Sequence, residues 1–371
     1  MIFPISSCPS FDPHFDAAYG ACTFNETKNG CQLLDEFRRV RTFSSSPLMI
    51  CPVFLATIAL TCNVGYVFLL FTVWRRQERR FQKRDIFLIQ RSAISIVTIC
   101  LIYMSVFVWL TDGVNYTATA VFLSLSSTNF LYIGGSKVAQ SLLLYTAVIH
   151  PLFYSTILTV EHCVYIDVFI TIIALVQGTL DGLSAASLFF PSRSIFDCSL
   201  HTCQYPLSIT IIILRLVGFI TVGASYCTIM VKLRGRIDEQ AMRSLRINLL
   251  IVVLPAVPLM GMFIFTTNNI ENLAILGDID NFPCQQLEHV STLMTLVQIV
   301  SVTTFFWLLS LALDPIFNVT SDRKISSLLS EYGLPGGVRR SRSTASHLSH
   351  RSLTAFTAAA APRVILPAAT V

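Results

Sequence analysis

Long apolar segments, separated by short polar connections, run through most of the chain. Seven can be distinguished, at about 48–74, 86–110, 118–150, 163–190, 206–231, 247–267 and 290–314. A helix needs about 20 apolar residues to cross a bilayer, and lipid cannot hydrogen-bond to an open backbone. The pattern therefore predicts an all-α membrane protein built as a seven-transmembrane helix bundle.

The third segment is more polar than the others. It carries a run of small hydroxyl and amide side chains, namely Ser124, Ser126, Ser127, Thr128 and Asn129. Such side chains are costly when they face lipid, and the Gly134-Gly135-Ser136 that follows allows close approach of a neighbouring helix. We therefore expect this segment to lie at the centre of the bundle.

The distribution of charge predicts the orientation. Charged residues make up 13% of the chain, which excludes an ordinary soluble enzyme because soluble domains carry about a quarter. Eighteen Lys and Arg residues fall in the first and fifth connections and the C-terminal part, against five on the other side. The positive-inside rule then places the N-terminus outside the cell. The net charge of +5 reflects this topology, and no nucleic-acid partner is predicted.

These observations divide the chain into three parts. Residues 1–47 are predicted to be an extracellular N-terminal segment, and residues 48–332 a membrane domain. Residues 333–371 are rich in Gly, Ser, Ala and Arg, which is typical of a disordered cytoplasmic tail.

Six cysteines fall on the predicted outer side: Cys8, Cys22, Cys31, Cys198, Cys203 and Cys284. An even number of cysteines outside the cytoplasm favours disulfides over a metal site, although the sequence does not choose among their pairings. Asn25-Glu26-Thr27 on the same side is a glycosylation acceptor.

The last apolar segment ends in an unusual way. It is expected to break at Asp314-Pro315, and the apolar positions that follow keep helical spacing up to Tyr332. This predicts a short amphipathic eighth helix on the membrane surface. The arrangement resembles the end of the seventh helix, and the eighth helix, of a rhodopsin-like G-protein-coupled receptor.

Other motifs of that receptor class are partly kept. The third segment ends in His150-Pro151-Leu152, as in those receptors, but Leu143-Leu144-Tyr145 stands where an acidic residue, arginine and tyrosine are usual. Pro255 is kept in the sixth segment without its tryptophan, and Asp314-Pro315-Ile316-Phe317-Asn318 lacks the final tyrosine. This set of kept and lost motifs is similar to the nematode serpentine chemoreceptors, a divergent rhodopsin-like group.

The resemblance implies a chemosensory receptor, multi-pass in the plasma membrane or in a sensory cilium, with its N-terminus extracellular. Its implied partners are membrane lipid, a heterotrimeric G protein, and an external small-molecule or peptide ligand. By register with receptor bundles, the side chains expected to face a ligand cavity are Ser126, Ser127, Phe130 and Thr304.

Ionisable residues inside membrane segments are rare and usually functional. Asp181 and Arg215 lie at similar depth on consecutive segments, which predicts an ion pair; alternatively, each faces a water-filled cavity separately. Lys137 and Asp314 are candidates for an inactive-state switch; alternatively, Lys137 extends to water. Pro255, with Pro258, is predicted to kink its helix and let it act as a lever.

No catalytic constellation is present in the sequence, so we predict no enzyme, no cofactor and no metal site. Two alternatives to a receptor stay open. A seven-helix transporter or channel would need inverted repeats or broken helices in corresponding positions. A non-signalling membrane scaffold is the other alternative, because the arginine of the third segment is missing.

Overall fold

Helices make up most of the described chain. The computed structural model describes residues 2–13, 16–25, 29–45, 47–77, 83–110, 115–190, 200–234, 239–277 and 283–321. Its helices are α1 (Gly30–Ser45), α2 (Pro47–Gln77), α3 (Lys83–Leu110), α4 (Tyr116–Ile149), α5 (Pro151–Thr156), α6 (Val160–Phe189), α7 (Tyr205–Leu233), α8 (Glu239–Asn268), α9 (Ile270–Gly277), α10 (Pro283–Glu288) and α11 (Val290–Ser321). The predicted eighth helix and the tail 333–371 lie outside the described residues.

Six helices of the described chain are long and apolar enough to cross a membrane, namely α2, α3, α6, α7, α8 and α11. They establish an all-α membrane protein. The helix of the third apolar segment, α4, is not among these six because its polar side chains lower its hydropathy. It nevertheless packs against α3, α5, α6 and α7, and its buried side chains include Ser127, Asn129, Ser136 and Ser141.

The closest helix contact that glycine permits lies between α4 and α6. A Cβ atom at Gly182 would stand 2.1 Å from the backbone nitrogen of Ser124, and one at Gly178 would stand 2.4 Å from that of Thr128. Two glycines four residues apart let helix backbones approach closely in membranes. The small residues of α4 therefore form a tight seam with α6, a partner that the sequence argument did not identify.

The predicted break at Asp314-Pro315 is wrong, because α11 continues through Pro315 to Ser321. Proline has no N–H to donate to the carbonyl four residues earlier, which leaves the Leu311 oxygen without its usual helical partner. The buried Asn63 on α2 supplies the missing donor. Its Nδ2 lies 3.0 Å from the Leu311 oxygen and 2.8 Å from the Ala59 oxygen.

Replacing Asn63 with leucine is expected to lower stability by about 0.5–2 kcal/mol, because the Leu311 carbonyl then faces apolar atoms. Thermal unfolding of the protein in detergent or nanodiscs measures the effect. Thr61→Val is the matched control, since Thr61 is exposed and bonds to Thr57 of its own helix. Equal melting temperatures for Asn63→Leu and wild type would contradict this account of Pro315.

The N-terminal segment folds against the connection between α8 and α11. Strand β1 (Ile2–Pro4) pairs antiparallel with β2 (Thr23–Asn25), so Asn25 is the last strand residue. A small apolar core joins this hairpin to α1 and α10, and includes Ile5, Leu34 and Leu287.

Disulfides and the buried phenol of Tyr19 stabilise the contact between the N-terminal segment and α10. The pairs are Cys8–Cys31 and Cys22–Cys284, the second of which ties the hairpin to α10. Tyr19 Oη donates to Gln286 Oε1 at 2.9 Å. Burial, followed by the charge of Asp16, raises the pKa of Tyr19 to about 12, so the phenol stays protonated and keeps donating.

The other two predicted cysteines lie between α6 and α7. Cys203 sits in a short π-helical turn, Leu200–Gln204, and is disulfide-bonded. Cys198 lies outside the described residues.

Candidate functional site

A cavity of about 360 Å³ opens among α3, α4, α6, α7, α8 and α11. Its volume falls within the range of about 300–1,000 Å³ that small-molecule sites usually occupy. Most of its wall is apolar, with Ile170, Leu214, Phe219 and Leu259 among the lining side chains. Four charged residues, Arg91, Lys137, Arg215 and Asp314, also reach the wall. The site is therefore an apolar chamber with charge concentrated at two places.

The first charged group joins three helices. Asp314 on α11 accepts from Lys137 Nζ of α4 at 2.6 Å through Oδ1, and from Arg91 Nη2 of α3 at 2.6 Å through Oδ2. Arg91 Nη1 also donates to Gln140 Oε1 on α4. We call Arg91, Lys137 and Asp314 the charge cluster. One carboxylate thus binds two cations and holds α3, α4 and α11 together.

Lys137 and Asp314 were predicted from the sequence to act as a switch, and the structure brings these two together. Arg91 was not predicted; it is 4% exposed and follows the first residue of α3 by eight positions. Its position inside a predicted membrane segment was the signal that could have identified it. Asp167 on α6 is a second ionisable residue inside a predicted segment that was not singled out. It is also buried and accepts a hydrogen bond from Tyr132 Oη at 2.6 Å.

The second charged group is Arg215 on α7. Its expected direct ion pair with Asp181 is not formed, although the two are close enough to interact electrostatically. Asp181 instead accepts a hydrogen bond from Ser127 Oγ. The Arg215 guanidinium carbon lies 4.3 Å from the ring centre of Phe263 and 5.6 Å from that of Phe130, within cation–π range. Equal depth therefore did not mean that the two side chains point at each other.

Aromatic rings continue the wall next to Arg215. Phe130 on α4 stacks on Trp307 of α11, with ring centres 4.2 Å apart. Of the four side chains expected to face a ligand, the cavity wall includes Phe130 but not Ser126, Ser127 or Thr304. The lining positions of α4 run on from Phe130 to Gly134 and Lys137, so the cavity lies about one helical turn deeper than the register predicted.

Pro255, expected to act as part of a lever, lies inside α8 and lines the cavity. The same helix contacts α11 through Thr303, whose Oγ1 donates to the Pro258 oxygen at 3.3 Å. The chain stays helical through both prolines. Pro255 therefore lies in a continuous part of α8 that borders the cavity, close to the point where α8 contacts α11.

No family model matches the chain. Three Caenorhabditis elegans proteins are similar to it. "Putative G-protein coupled receptor B0244.7" is 26% identical over 207 residues, which is 56% of this chain and 64% of that protein. "Putative G-protein coupled receptor B0244.4" is 25% identical over 212 residues, covering 57% of this chain and 67% of that protein.

"Putative G-protein coupled receptor B0244.5" is 23% identical over 211 residues, with 57% of each chain covered. The chain thus spans less than two thirds of the length of the first and third of these relatives. None of the three names refers to an enzyme. Together with the apolar helices, these similarities identify a multi-pass membrane protein that is similar to nematode proteins named "Putative G-protein coupled receptor".

Proposed function

We propose that the protein is a G-protein-coupled chemosensory receptor that binds an external cue and signals to a heterotrimeric G protein. The observation that carries the proposal is the charge cluster at the wall of the cavity. It joins three helices through one carboxylate, and all three of its residues line the cavity in which a ligand would bind. A bound ligand and the helix arrangement can therefore influence each other.

The proposed topology has seven membrane spans, with α4 as the third. A central helix surrounded by neighbours can carry buried hydroxyl and amide side chains without exposing them to lipid. The disulfide-linked N-terminal segment then lies outside, as extracytoplasmic disulfides require. The basic connections before α3 and after α7 lie inside, in agreement with the positive-inside rule.

In this topology the charge cluster lies in the inner half of the bundle. Arg91 is near the inner end of α3, and Asp314 is near the inner end of α11. The segment Leu143-Leu144-Tyr145 offers no arginine at the inner end of α4. The cluster supplies the missing polar connection from other positions and holds α11 against α3 and α4 in the inactive state.

Activation follows from differential binding. A ligand that fits the cavity better when α11 has moved away from α4 shifts the population toward that arrangement. The Lys137–Asp314 contact is then lost, and the inner ends of the helices separate to admit the G protein. Pro255, which removes one backbone hydrogen bond from α8, lies beside the same cavity.

A cell line carrying a promiscuous G protein tests the proposal. We expect at least one small-molecule cue to evoke a second-messenger response that disappears when the G protein is inhibited. Cells expressing Thr210→Val, altered at an exposed position near the start of α7 and outside the cavity wall, should respond normally. Membrane currents that appear when the protein is expressed, and that persist when the G protein is inhibited, would favour a channel and contradict the receptor function. A protein at the cell surface with neither response across the screen would favour a scaffold.

A further inference from the structure

Arg215 carries hydrogen-bond donors that no described residue satisfies. Its Nε and Nη2 atoms are fully buried and have no acceptor in the described chain. A guanidinium needs acceptors when it leaves water, and an unpaired buried charge is costly. Because Arg215 is one of the residues that line the cavity, an acceptor bound in the cavity can approach its guanidinium.

The acids nearby are already engaged. Asp314 binds both Arg91 and Lys137, so the charge cluster itself has one cation in excess. Asp181 is held by Ser127, makes no direct ion pair with Arg215, and is not part of the cavity wall. Among the described lining residues, three cations therefore face one carboxylate.

A second unsatisfied donor belongs to Trp307, which like Arg215 contacts the ring of Phe130. Trp307 stacks on Phe130, the ring that also lies under the Arg215 guanidinium, and Trp307 Nε1 is buried without an acceptor. Guanidinium groups bind carboxylates through two parallel hydrogen bonds, which gives both strength and geometry.

The remainder of the cavity excludes most polar ligands. Apart from the charge cluster, Ser95 and Ser310, its other walls are mostly apolar side chains and glycines, which offer few partners for the backbone groups of a peptide. A volume of about 360 Å³ suits a small molecule with one polar end.

Resting on the receptor function proposed above, we propose that the cue is a small apolar carboxylic acid. Its carboxylate binds Arg215, and its apolar body fills the space toward α8 and α6. Lys137 and the rest of the charge cluster lie along the same wall, so the bound molecule reaches the switch.

Binding to the purified protein in lipid nanodiscs tests this proposal without a G protein. The probes are decanoate and decanol, which share an apolar chain and differ in charge. We expect decanoate to bind wild type more tightly than decanol does. Arg215→Gln should weaken decanoate binding by about tenfold to a hundredfold and leave decanol binding unchanged. Lys232→Gln, a cation removed from the same helix outside the cavity, should bind both probes as wild type does.

Arg215→Lys provides a variant that keeps the charge. It should retain a preference for decanoate, at reduced affinity, because lysine lacks the planar pair of donors. Equal binding of decanoate and decanol to wild type would overturn the proposal, even if Arg215→Gln failed to fold. A preference for the acid that survives Arg215→Gln would also overturn it. Acid binding without any second-messenger response would support this site and contradict the receptor function.

Discussion

Replacing Asp314 with asparagine is expected to raise ligand-independent signalling by about tenfold, the effect of a coupling of about 1.4 kcal/mol. The carboxylate binds both Arg91 and Lys137 and so joins α3, α4 and α11. Without its charge, the two cations repel each other and the three helices lose their common contact. Second-messenger output per receptor at the cell surface, measured without ligand, reports the change.

The same variant should also reach the surface in smaller amounts. Removing one member of a buried ionic group commonly costs about 3–5 kcal/mol, because the remaining charges stay buried without a partner. Lys137→Met separates the effect on signalling from the effect on folding. It removes only the ion pair between α4 and α11 and leaves Arg91 paired with Asp314. We expect it to raise basal signalling with surface levels near those of wild type.

Asp167→Asn is the matched control. Asp167 is also a buried carboxylate inside a membrane helix, but it binds Tyr132 and has no part in the charge cluster. An asparagine oxygen can still accept from that phenol, so basal signalling should not change. If Asp167→Asn raised basal signalling as much as Lys137→Met, general loosening of the bundle would explain both results.

Replacing Gly182 with alanine is expected to destabilise the bundle by about 3 kcal/mol, at the upper end of overpacking effects. The new Cβ would lie 2.1 Å from the Ser124 nitrogen and 2.3 Å from its Cα, so backbone must move and no rotamer change relieves the clash. Thermal unfolding in detergent and surface expression measure the loss. Gly178→Ala should behave in the same way, because its Cβ would meet the backbone of Thr128 at 2.4 Å.

Gly223→Ala is the control for this seam. A Cβ at Gly223 on α7 meets no heavy atom within 4 Å, so alanine fits and favours the helix. Its melting temperature should equal or exceed that of wild type. A Gly182→Ala protein as stable as Gly223→Ala would contradict the tight seam between α4 and α6.

The positions of the membrane helices could be predicted because apolar length alone requires them. Lys137 and Asp314 were paired on other grounds, because each lacked an obvious partner and the resemblance to receptor bundles implied that their helices meet. The polar content of α4 indicated a buried central helix, in agreement with its packing against α3, α6 and α7.

The position of a residue along its helix gives its depth in the membrane, but not the side of the helix on which its side chain lies. Asp181 and Arg215 share a height, yet Asp181 bonds to Ser127 and Arg215 faces the cavity. The continuation of α11 through Pro315 needed a donor from another helix, Asn63, which no local pattern reveals. The spacing of Gly178 and Gly182 was visible in the sequence, but their partner helix depends on the packing.

A double-mutant cycle of Lys137→Met and Asp314→Asn tests the proposed switch most directly. Ligand-independent nucleotide exchange on a purified G protein is measured with each receptor variant in nanodiscs. If the two residues act through one contact, the double variant should signal no more than Asp314→Asn alone. A double variant whose activity equals the product of the two single effects would show independent action. That result, or basal activity equal to wild type in all three variants, would contradict a switch at the charge cluster.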